Sequence, residues 1–214
     1  TKQSAVLALG NVAGDSPHLR DAALAAGVLP RIIATLDTPG GAPANLRRTA
    51  AWALSNHVRG QPPPRWEAVA SLLPVAQRLL AWPGTAAEGG GAGAVCEEHD
   101  EEVLGPSLWC VAFLAGVNRM AVACREGLVE RLLAALAAMD RHYVVVLAAL
   151  EELTDNEEAT RAVLQRDNGG LVGLLLRRLN DRRNSVRRRA AAVLQRIVEY
   201  APARHVAAVV SFPQ

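Results

Sequence analysis

Gly27-Val-Leu-Pro-Arg-Ile-Ile-Ala-Thr-Leu36 decides the fold, because close variants of this stretch recur along the chain. The variants begin at Ser71, Gly127 and Gly170 and read SLLPVAQRLL, GLVERLLAAL and GLVGLLLRRL. Their hydrophobic residues recur at the three- and four-residue spacing of an amphipathic helix, and a loop and a second apolar helix follow each. Repetition of such a unit about every 40 to 47 residues predicts a helical solenoid, an architecture that presents binding surfaces.

Breaker residues and apolar spacing divide the chain into units of three helices. In the first full unit we expect helices at about 17–26, 28–37 and 44–58, and in the second a long last helix at about 102–115. We predict one domain over 1–214, made of a final helix from a partial repeat, four repeats and the start of another. The boundaries are 1–14, 15–60, 61–116, 117–154, 155–199 and 200–214.

The composition agrees with an all-α protein of the cell interior. Half of the residues are hydrophobic and 4% are aromatic, which favours close-packed helices over strands. Cys96, Cys110 and Cys124 form no CxxC pair, so we expect reduced thiols that act as small apolar fillers. We find no run of membrane-spanning length and no signal peptide, and a net charge of +2 gives no indication of nucleic-acid binding.

The segment 83–100 interrupts the repeat pattern. It contains Gly89-Gly90-Gly91, and six acidic and no basic residues lie between Glu88 and Glu102. We predict a flexible, solvated insertion, with an acidic flap that guides a basic ligand as the alternative.

No pattern indicates catalysis, a cofactor or a metal. Cys96-x-x-His99 has a metal-like spacing but lacks a second pair, so we expect no zinc site. No nucleophile–base motif or phosphate-binding glycine loop is present, and we predict a protein that is not an enzyme. His57 lies near the candidate site described below, although a histidine on a helix surface explains it equally well.

Several strings resemble importin-α, a family of adaptors that carry proteins into the nucleus. They are Leu9-Gly-Asn-Val-Ala-Gly-Asp15, Ala51-Trp-Ala-Leu-Ser-Asn-His-Val-Arg-Gly60 with three prolines after it, Asp100–Leu104 and Trp109–Phe113. The similarity runs in register over nearly the whole chain, from the third to about the seventh of the family's ten repeats. It implies a right-handed superhelix of armadillo repeats and binding of basic nuclear localisation signals, in the cytoplasm and nucleus. Importin-β would bind through segments outside this chain.

The Trp-x-x-x-Asn pattern also has a chemical interpretation of its own. Residues four apart share a helix face, so repeating the pair on stacked helices makes a ladder. An Asn amide can bind the C=O and N–H of an extended peptide, and indole faces form slots for Lys or Arg stems. Taken alone, Trp52 could instead be a core residue and Asn56 an exposed helix cap, but their spacing and the matching Asn11 favour the ladder.

The resemblance assigns peptide-binding roles to seven residues and also shows departures. Asp15 stands at the position of the acidic residue that pairs with a lysine of the peptide in that family. Arg59 stands at the position of a basic residue further along the family's peptide-binding groove, and Leu7 stands where the family has Trp. Phe113 replaces Tyr. The residues assigned to the site are Asn11, Asp15, Trp52, Asn56, Arg59, Trp109 and Phe113.

The second half departs further from the family. The equivalent ladder positions carry Leu147 and Ala192 in the Trp row, and Glu151 and Arg196 in the Asn row. The segment 171–214 has a net charge of +7, so we predict that the family's minor peptide site is absent. We expect the run Arg187 to Arg189 to be a solvated helix face. An acidic partner protein is an alternative, as is a divergent scaffold with a changed ligand; nucleic acid is disfavoured.

Overall fold

The computed structural model describes residues 1–38, 41–80, 100–167 and 169–200, and all their regular elements are helices. The chain divides into two compact units, Thr1–Val117 and Asn118–Gln214. Unit 1 contains α1 (Lys2–Asp15), α2 (Pro17–Ala25), α3 (Val28–Leu36), α4 (Ala44–Asn56), α5 (Trp66–Val69), α6 (Leu72–Leu79) and α7 (Glu101–Val117). Unit 2 contains α8 (Arg119–Ala123), α9 (Leu128–Ala138), a 3₁₀ turn (Asp140–His142), α10 (Tyr143–Leu153), α11 (Glu157–Arg166), α12 (Leu171–Arg178) and α13 (Asn184–Tyr200).

Short-range sequence signals set the helix boundaries. The Ser16 hydroxyl accepts a hydrogen bond from the Leu19 amide at 3.3 Å, and Pro17 occupies the first turn of α2. Gly27 adopts the left-handed conformation (φ 71°) that separates α2 from α3, and Gly127 (φ 72°) does the same between α8 and α9. The chain therefore turns sharply before two of the four recurring stretches without side-chain strain.

The four recurring stretches form α3, α6, α9 and α12, and their apolar faces lie in the cores of the two units. Leu29 and Ile32 are buried in α3, and Leu128, Leu132 and Leu136 are fully buried in α9. Removing such side chains from water is the main favourable term in folding. The prediction of an all-α solenoid is confirmed, and the expected helices at 17–26, 28–37, 44–58 and 102–115 agree with α2, α3, α4 and α7 to within two residues.

The cysteine prediction is confirmed at one position and wrong at another. Cys110 is buried, and burial raises the pKa of its thiol to about 12, as expected of a small apolar filler. Cys124 is exposed instead. Cys96, His99, the start of a further repeat after residue 200 and almost all of the 83–100 insertion lie outside the described residues.

No single helix among the described residues is long and apolar enough to cross a membrane. The segments Leu128–Ala138 and Asp140–Leu153 pass a test of length and composition only as a pair, which is bent by 115°. Leu132, Leu136 and Leu150, which contribute to that apolar character, are fully buried within unit 2.

Candidate functional site

Three long helices of unit 1 carry the predicted ladder. α1 packs against α4, and α4 packs against α7, so equivalent positions on them lie on neighbouring helices. We call Leu7, Trp52 and Trp109 the first row and Asn11, Asn56 and Phe113 the second row. Each second-row residue follows its first-row partner by four positions, which puts the two on one face of their helix.

The last turn of α1 presents a polar, negatively charged surface. Asn11 and Asp15 are both exposed and four residues apart. Among the described residues Asp15 forms no ion pair, and it is the last residue of α1, where the helix dipole is negative. A carboxylate at this end is unfavourable by itself and favours a bound cation.

Trp52 packs on the backbone of the neighbouring helix. A Cβ atom added to Gly10 would lie only 2.5 Å from the indole atom Cζ3 of Trp52, so the glycine is what allows this close approach. Trp52 is half-buried rather than enclosed. It therefore combines the two roles considered for it, since one part of the ring packs on α1 and the rest stays accessible.

Asn56 is more enclosed than the sequence suggests. It is 5% exposed, so the alternative of an exposed helix cap is wrong. Its Nδ2 donates a hydrogen bond to the carbonyl oxygen of Gly10 at 3.1 Å, which links α4 to α1. The described residues give its Oδ1 no hydrogen-bond partner. One amide hydrogen is thus used inside the protein, and fewer groups remain for a ligand.

The aromatic pair of α7 forms an open surface. The rings of Trp109 and Phe113 stack with centroids 5.5 Å apart and planes at 24°. Trp109 is 39% exposed and Phe113 is half-buried. The arrangement offers a broad aromatic wall, the kind of surface on which a Lys or Arg stem can lie.

The loop after α4 is held by an arginine that sequence reasoning did not single out. Arg20 in α2 is fully buried and donates from Nη1 to the carbonyl oxygen of Arg59 at 2.9 Å. It also pairs with Asp21 at 2.8 Å. The Arg59 side chain itself is exposed. Arg20 therefore fixes the backbone from which the predicted site residue Arg59 extends.

A second arginine ties the start of α7 to α4. Arg48 lies one turn before Trp52, and its Nε bonds both carboxylate oxygens of Asp100 at 2.8 and 2.9 Å. Glu102 lies 3.3 Å away, and the hydrogen bond to Asp100 raises the pKa of Arg48. Asp100, the last residue of the predicted insertion 83–100, is held by this arginine, and the flexibility of the insertion stays a prediction.

His57 is a buried residue, and the interpretation as a surface histidine is wrong. It has no solvent exposure, and its Nδ1 lies 2.7 Å from the carbonyl oxygen of Ala53, which makes Nδ1 the donor. Nε2 has no hydrogen-bond partner among the described residues. Burial lowers the pKa of His57, because a proton on Nε2 would be a charge without an acceptor.

The equivalent positions of unit 2 are occupied by internal contacts. Leu147 is fully buried, and Arg189 pairs with the carboxylate of Glu151. Arg196 donates to the backbone oxygen of Glu151 and pairs with Asp155 at 3.0 Å. Each charge that the sequence placed in the ladder is therefore paired inside unit 2, Glu151 with Arg189 and Arg196 with Asp155.

The arginine run of α13 is not one uniform solvated face. Arg187 donates to the backbone oxygen of Asp181 at 2.9 Å, and Arg189 pairs with Glu151. Arg188 is exposed and has no partner among the described residues. The net charge of +7 for residues 171–214 leaves out Glu151, the partner of Arg189, because Glu151 lies 38 residues earlier in the chain.

Within the described ranges no group of three or more His, Cys, Asp or Glu side chains is arranged to hold a metal ion.

Comparison with known proteins gives relatives of one kind. No family model matches the chain. Importin subunit alpha-1b of Oryza sativa subsp. japonica is 32% identical over 195 residues, which covers 88% of this chain and 32% of that protein. Importin subunit alpha-2 of Arabidopsis thaliana is 35% identical over 61% of this chain and 22% of its own length. The chain thus spans a third or less of these two relatives.

Two solved structures of engineered proteins are similar in fold. One has a TM-score of 0.74 and 23% identity, with 95% of this chain and 45% of the other covered. The second has a TM-score of 0.70 and 20% identity, with 99% and 83% covered. At these identities the likeness shows the fold alone.

Proposed function

The chain is homologous to the armadillo-repeat region of importin subunit alpha, and we propose from this premise that unit 1 binds basic, extended peptides of the nuclear-localisation-signal type. At the coarser level the chain is an armadillo-repeat scaffold for protein–protein interaction. The proposed surface consists of the two ladder rows on α1, α4 and α7, together with Asp15 and Arg59. In this proposal the chain acts by binding and not by catalysis.

The observation that carries the proposal is the open aromatic wall on α7. Trp109 keeps 39% of its surface exposed beside a stacked second ring, an apolar aromatic area that folding leaves in contact with solvent and that a ligand can cover. The aliphatic stem of a Lys or Arg side chain would cover Trp109 and bring its charge over the ring. Such a contact is worth about 0.5–2 kcal/mol.

Asp15, on α1, also favours a cationic ligand. It lies on the helix that packs on α4 opposite to α7. Its carboxylate has no internal partner in the described part of the chain and lies at the negative end of α1. A lysine ammonium there would meet both the carboxylate charge and the negative end of the helix dipole. Asn11, one turn earlier, would bind the peptide backbone.

The departures from the family pattern predict a reduced site. Leu7 gives an aliphatic wall in place of an aromatic one, and Asn56 already donates one hydrogen to Gly10. We therefore propose that affinity is concentrated at Asp15, Trp52 and Trp109, as binding energy usually is in a few residues. Unit 2 adds no second peptide site in this proposal, because Glu151 and Arg196 are occupied internally.

The wider role proposed here is that of a nuclear-import adaptor. It would carry proteins with Lys/Arg-rich signals between the cytoplasm and nucleus, with importin-β recruited through segments outside this chain. The support is the relatives' name and the charge and aromatic character of unit 1. No role with nucleic acid or membranes is part of the proposal.

A peptide titration tests the proposal. A fluorescent Lys-rich signal peptide is titrated into the chain by anisotropy, in parallel with a peptide in which every lysine is replaced by glutamine. We expect saturable binding of the first peptide only, weakened about two- to thirtyfold by Trp109→Ala. Gln165→Ala, an exposed change in unit 2, is the control and should leave binding unchanged. Equal binding of the two peptides would contradict the proposal.

The alternative of a scaffold with a changed ligand is favoured by Leu7 and Asn56. Leu7 is 47% exposed, so an apolar side chain occupies the slot that would hold a cation between two aromatic rings. An acidic peptide serves as a third arm of the titration. If it binds and the lysine peptide does not, the scaffold interpretation replaces the adaptor.

A further inference from the structure

The segment Arg182-Arg183-Asn184-Ser185-Val186 places two arginines three and two residues before a serine and an apolar residue directly after it. We propose that Ser185 is a phosphorylation site for a basophilic serine/threonine kinase. Such an enzyme has acidic pockets that bind the two guanidinium groups and an apolar pocket for the following side chain. The proposal does not depend on peptide binding by unit 1.

The first arginine and the acceptor serine of this segment are accessible. Ser185 is exposed, and the described residues give its hydroxyl no hydrogen-bond partner. The Arg182 side chain is 84% exposed and lies 3.8 Å from the nearest oxygen of Asp140, a loose contact in solvent. A kinase can therefore bind Arg182 and reach the acceptor oxygen without competing with strong contacts.

The middle of the segment has to be released. Arg183 pairs with Asp140 at 2.5 Å and with Asp181 at 2.9 Å, and Val186 is fully buried. The Arg183 hydrogen bond lowers the pKa of Asp181 to about 2. Arg183 directly precedes α13 and Val186 lies in its first turn, and helix ends open more easily than helix centres. Opening of this turn thus sets the rate of modification.

The transfer balances with ATP as the phosphoryl donor. The Ser185 hydroxyl oxygen forms a bond to the γ-phosphorus, and the bond from that phosphorus to the β–γ bridging oxygen breaks. ADP leaves, and the hydroxyl proton passes to the base of the kinase. The product carries close to two negative charges at the N-terminus of α13, where the helix dipole and unpaired amides stabilise an anion.

Arg188 provides the product with a partner. It lies three residues after Ser185, on the same face of α13, and it is exposed with no partner in the described part of the chain. A phosphate on Ser185 would therefore gain a guanidinium contact without breaking an existing pair. Modification should stabilise the start of α13.

Thr49 is an internal comparison. It also follows two arginines, Arg47 and Arg48, but it lies inside α4. No residue separates these arginines from Thr49, whereas Asn184 separates Arg183 from Ser185. Its hydroxyl donates to the Asn45 carbonyl oxygen at 2.8 Å. A kinase would have to unwind the helix centre to use it, so Thr49 should remain unmodified.

The test is phosphorylation of the folded full chain by a purified basophilic kinase with Mg-ATP, followed by intact-mass and fragment mass spectrometry. We expect one phosphate, on Ser185, and none in Ser185→Ala. Arg182→Ala should slow the reaction at least tenfold, while Asp140→Asn should speed it severalfold by releasing Arg183. No phosphate on the folded chain, a phosphate elsewhere with Ser185 unmodified, or no effect of Arg182→Ala would overturn the proposal.

A melting experiment tests the product contact. The phosphorylated chain should melt roughly 1–3 °C higher than the unmodified one, and Arg188→Ala should remove most of that rise. Since Arg188 is exposed and has no partner among the described residues, its replacement should leave the unmodified chain as stable as before. A melting temperature lowered by phosphorylation would contradict the stabilising role given to Arg188.

Discussion

Units 1 and 2 use the same ladder positions in opposite ways. In unit 1 the first row is half-buried or exposed, and Asp15 has no internal partner in the described residues. In unit 2 Leu147 is fully buried, Glu151 pairs with Arg189, and Arg196 pairs with Asp155. A helical repeat thus fixes where a position lies, while the side chain decides whether it binds a ligand or a neighbouring helix.

The largest expected effect comes from comparing a first-row position of unit 2, Leu147, with one of unit 1, Trp52. Leu147→Ala removes a fully buried side chain and should lower the free energy of unfolding by about 2–5 kcal/mol. It should leave binding of a lysine-rich peptide to the surviving folded chain unchanged. Trp52→Ala should do the reverse, with a smaller loss of stability and a large loss of affinity. Urea unfolding measures the stability of each variant, and peptide titration measures its affinity. Weaker peptide binding by the folded Leu147→Ala variant would contradict the distinction between the two units.

Two glycine substitutions sharpen the comparison. Gly10→Ala places a Cβ 2.5 Å from Trp52 and 2.8 Å from the Ala53 Cβ, an overpacking that should cost about 1–3 kcal/mol. Gly173→Ala in α12 is the matched control, because the nearest atom is Nη1 of Arg177 at 3.8 Å. It should stabilise the helix by about 0.5–1 kcal/mol. Thermal melts of the two variants should shift in opposite directions, and a shared direction would refute the close approach of α1 and α4.

A double-mutant cycle measures the internal pairing of unit 2. Glu151→Gln and Arg189→Gln, alone and together, should give a coupling energy near 1 kcal/mol, since each side chain is less than one-third exposed. The pair Arg161 and Glu157 in α11, exposed on both sides, should give about 0.3–0.5 kcal/mol. A coupling of zero for the first pair would mean that the second row of unit 2 remains available to a ligand.

The last prediction is a pH dependence of stability that arises in unit 1. Burial lowers the pKa of His57 below its usual 6.5, so the unfolded chain takes up a proton before the folded chain does. Stability is therefore complete above about pH 6.5 and falls as the pH drops toward the folded-state pKa, by at most about 1.4 kcal/mol per pH unit. His57→Asn should flatten that part of the profile in urea unfolding between pH 7 and pH 5. An unchanged slope would assign the dependence to other groups.

The sequence predicted the fold well because the signal is local and repeated. Apolar spacing and residues such as Ser16 and Gly27 act over a few positions, and they located the helices to within two residues. The contacts that corrected the site are long-range. Nothing near Asn56 indicates that its amide bonds Gly10, 46 residues away, or that Arg48 holds Asp100, 52 residues away.

The burial of His57 could not be read from the sequence for a related reason. A histidine after a helical Asn is exposed or enclosed according to what packs around it, and that depends on neighbouring helices. The pairing of Glu151 with Arg189 was easier to anticipate, because opposite charges about one repeat apart lie on adjacent helices. The net charge of +7 was summed over residues 171–214 only, and this sum leaves out Glu151.

Photo-crosslinking tests the central claim most directly. A lysine-rich peptide carrying benzoylphenylalanine beside its central lysine is irradiated with the chain, and the crosslinked residues are identified by mass spectrometry. We expect crosslinks on α1, α4 and α7, near Asp15, Trp52 and Trp109, and their loss in Trp52→Ala. Crosslinks concentrated on α10 and α13 would show that the ligand binds where the internal ion pairs lie, and would contradict the account.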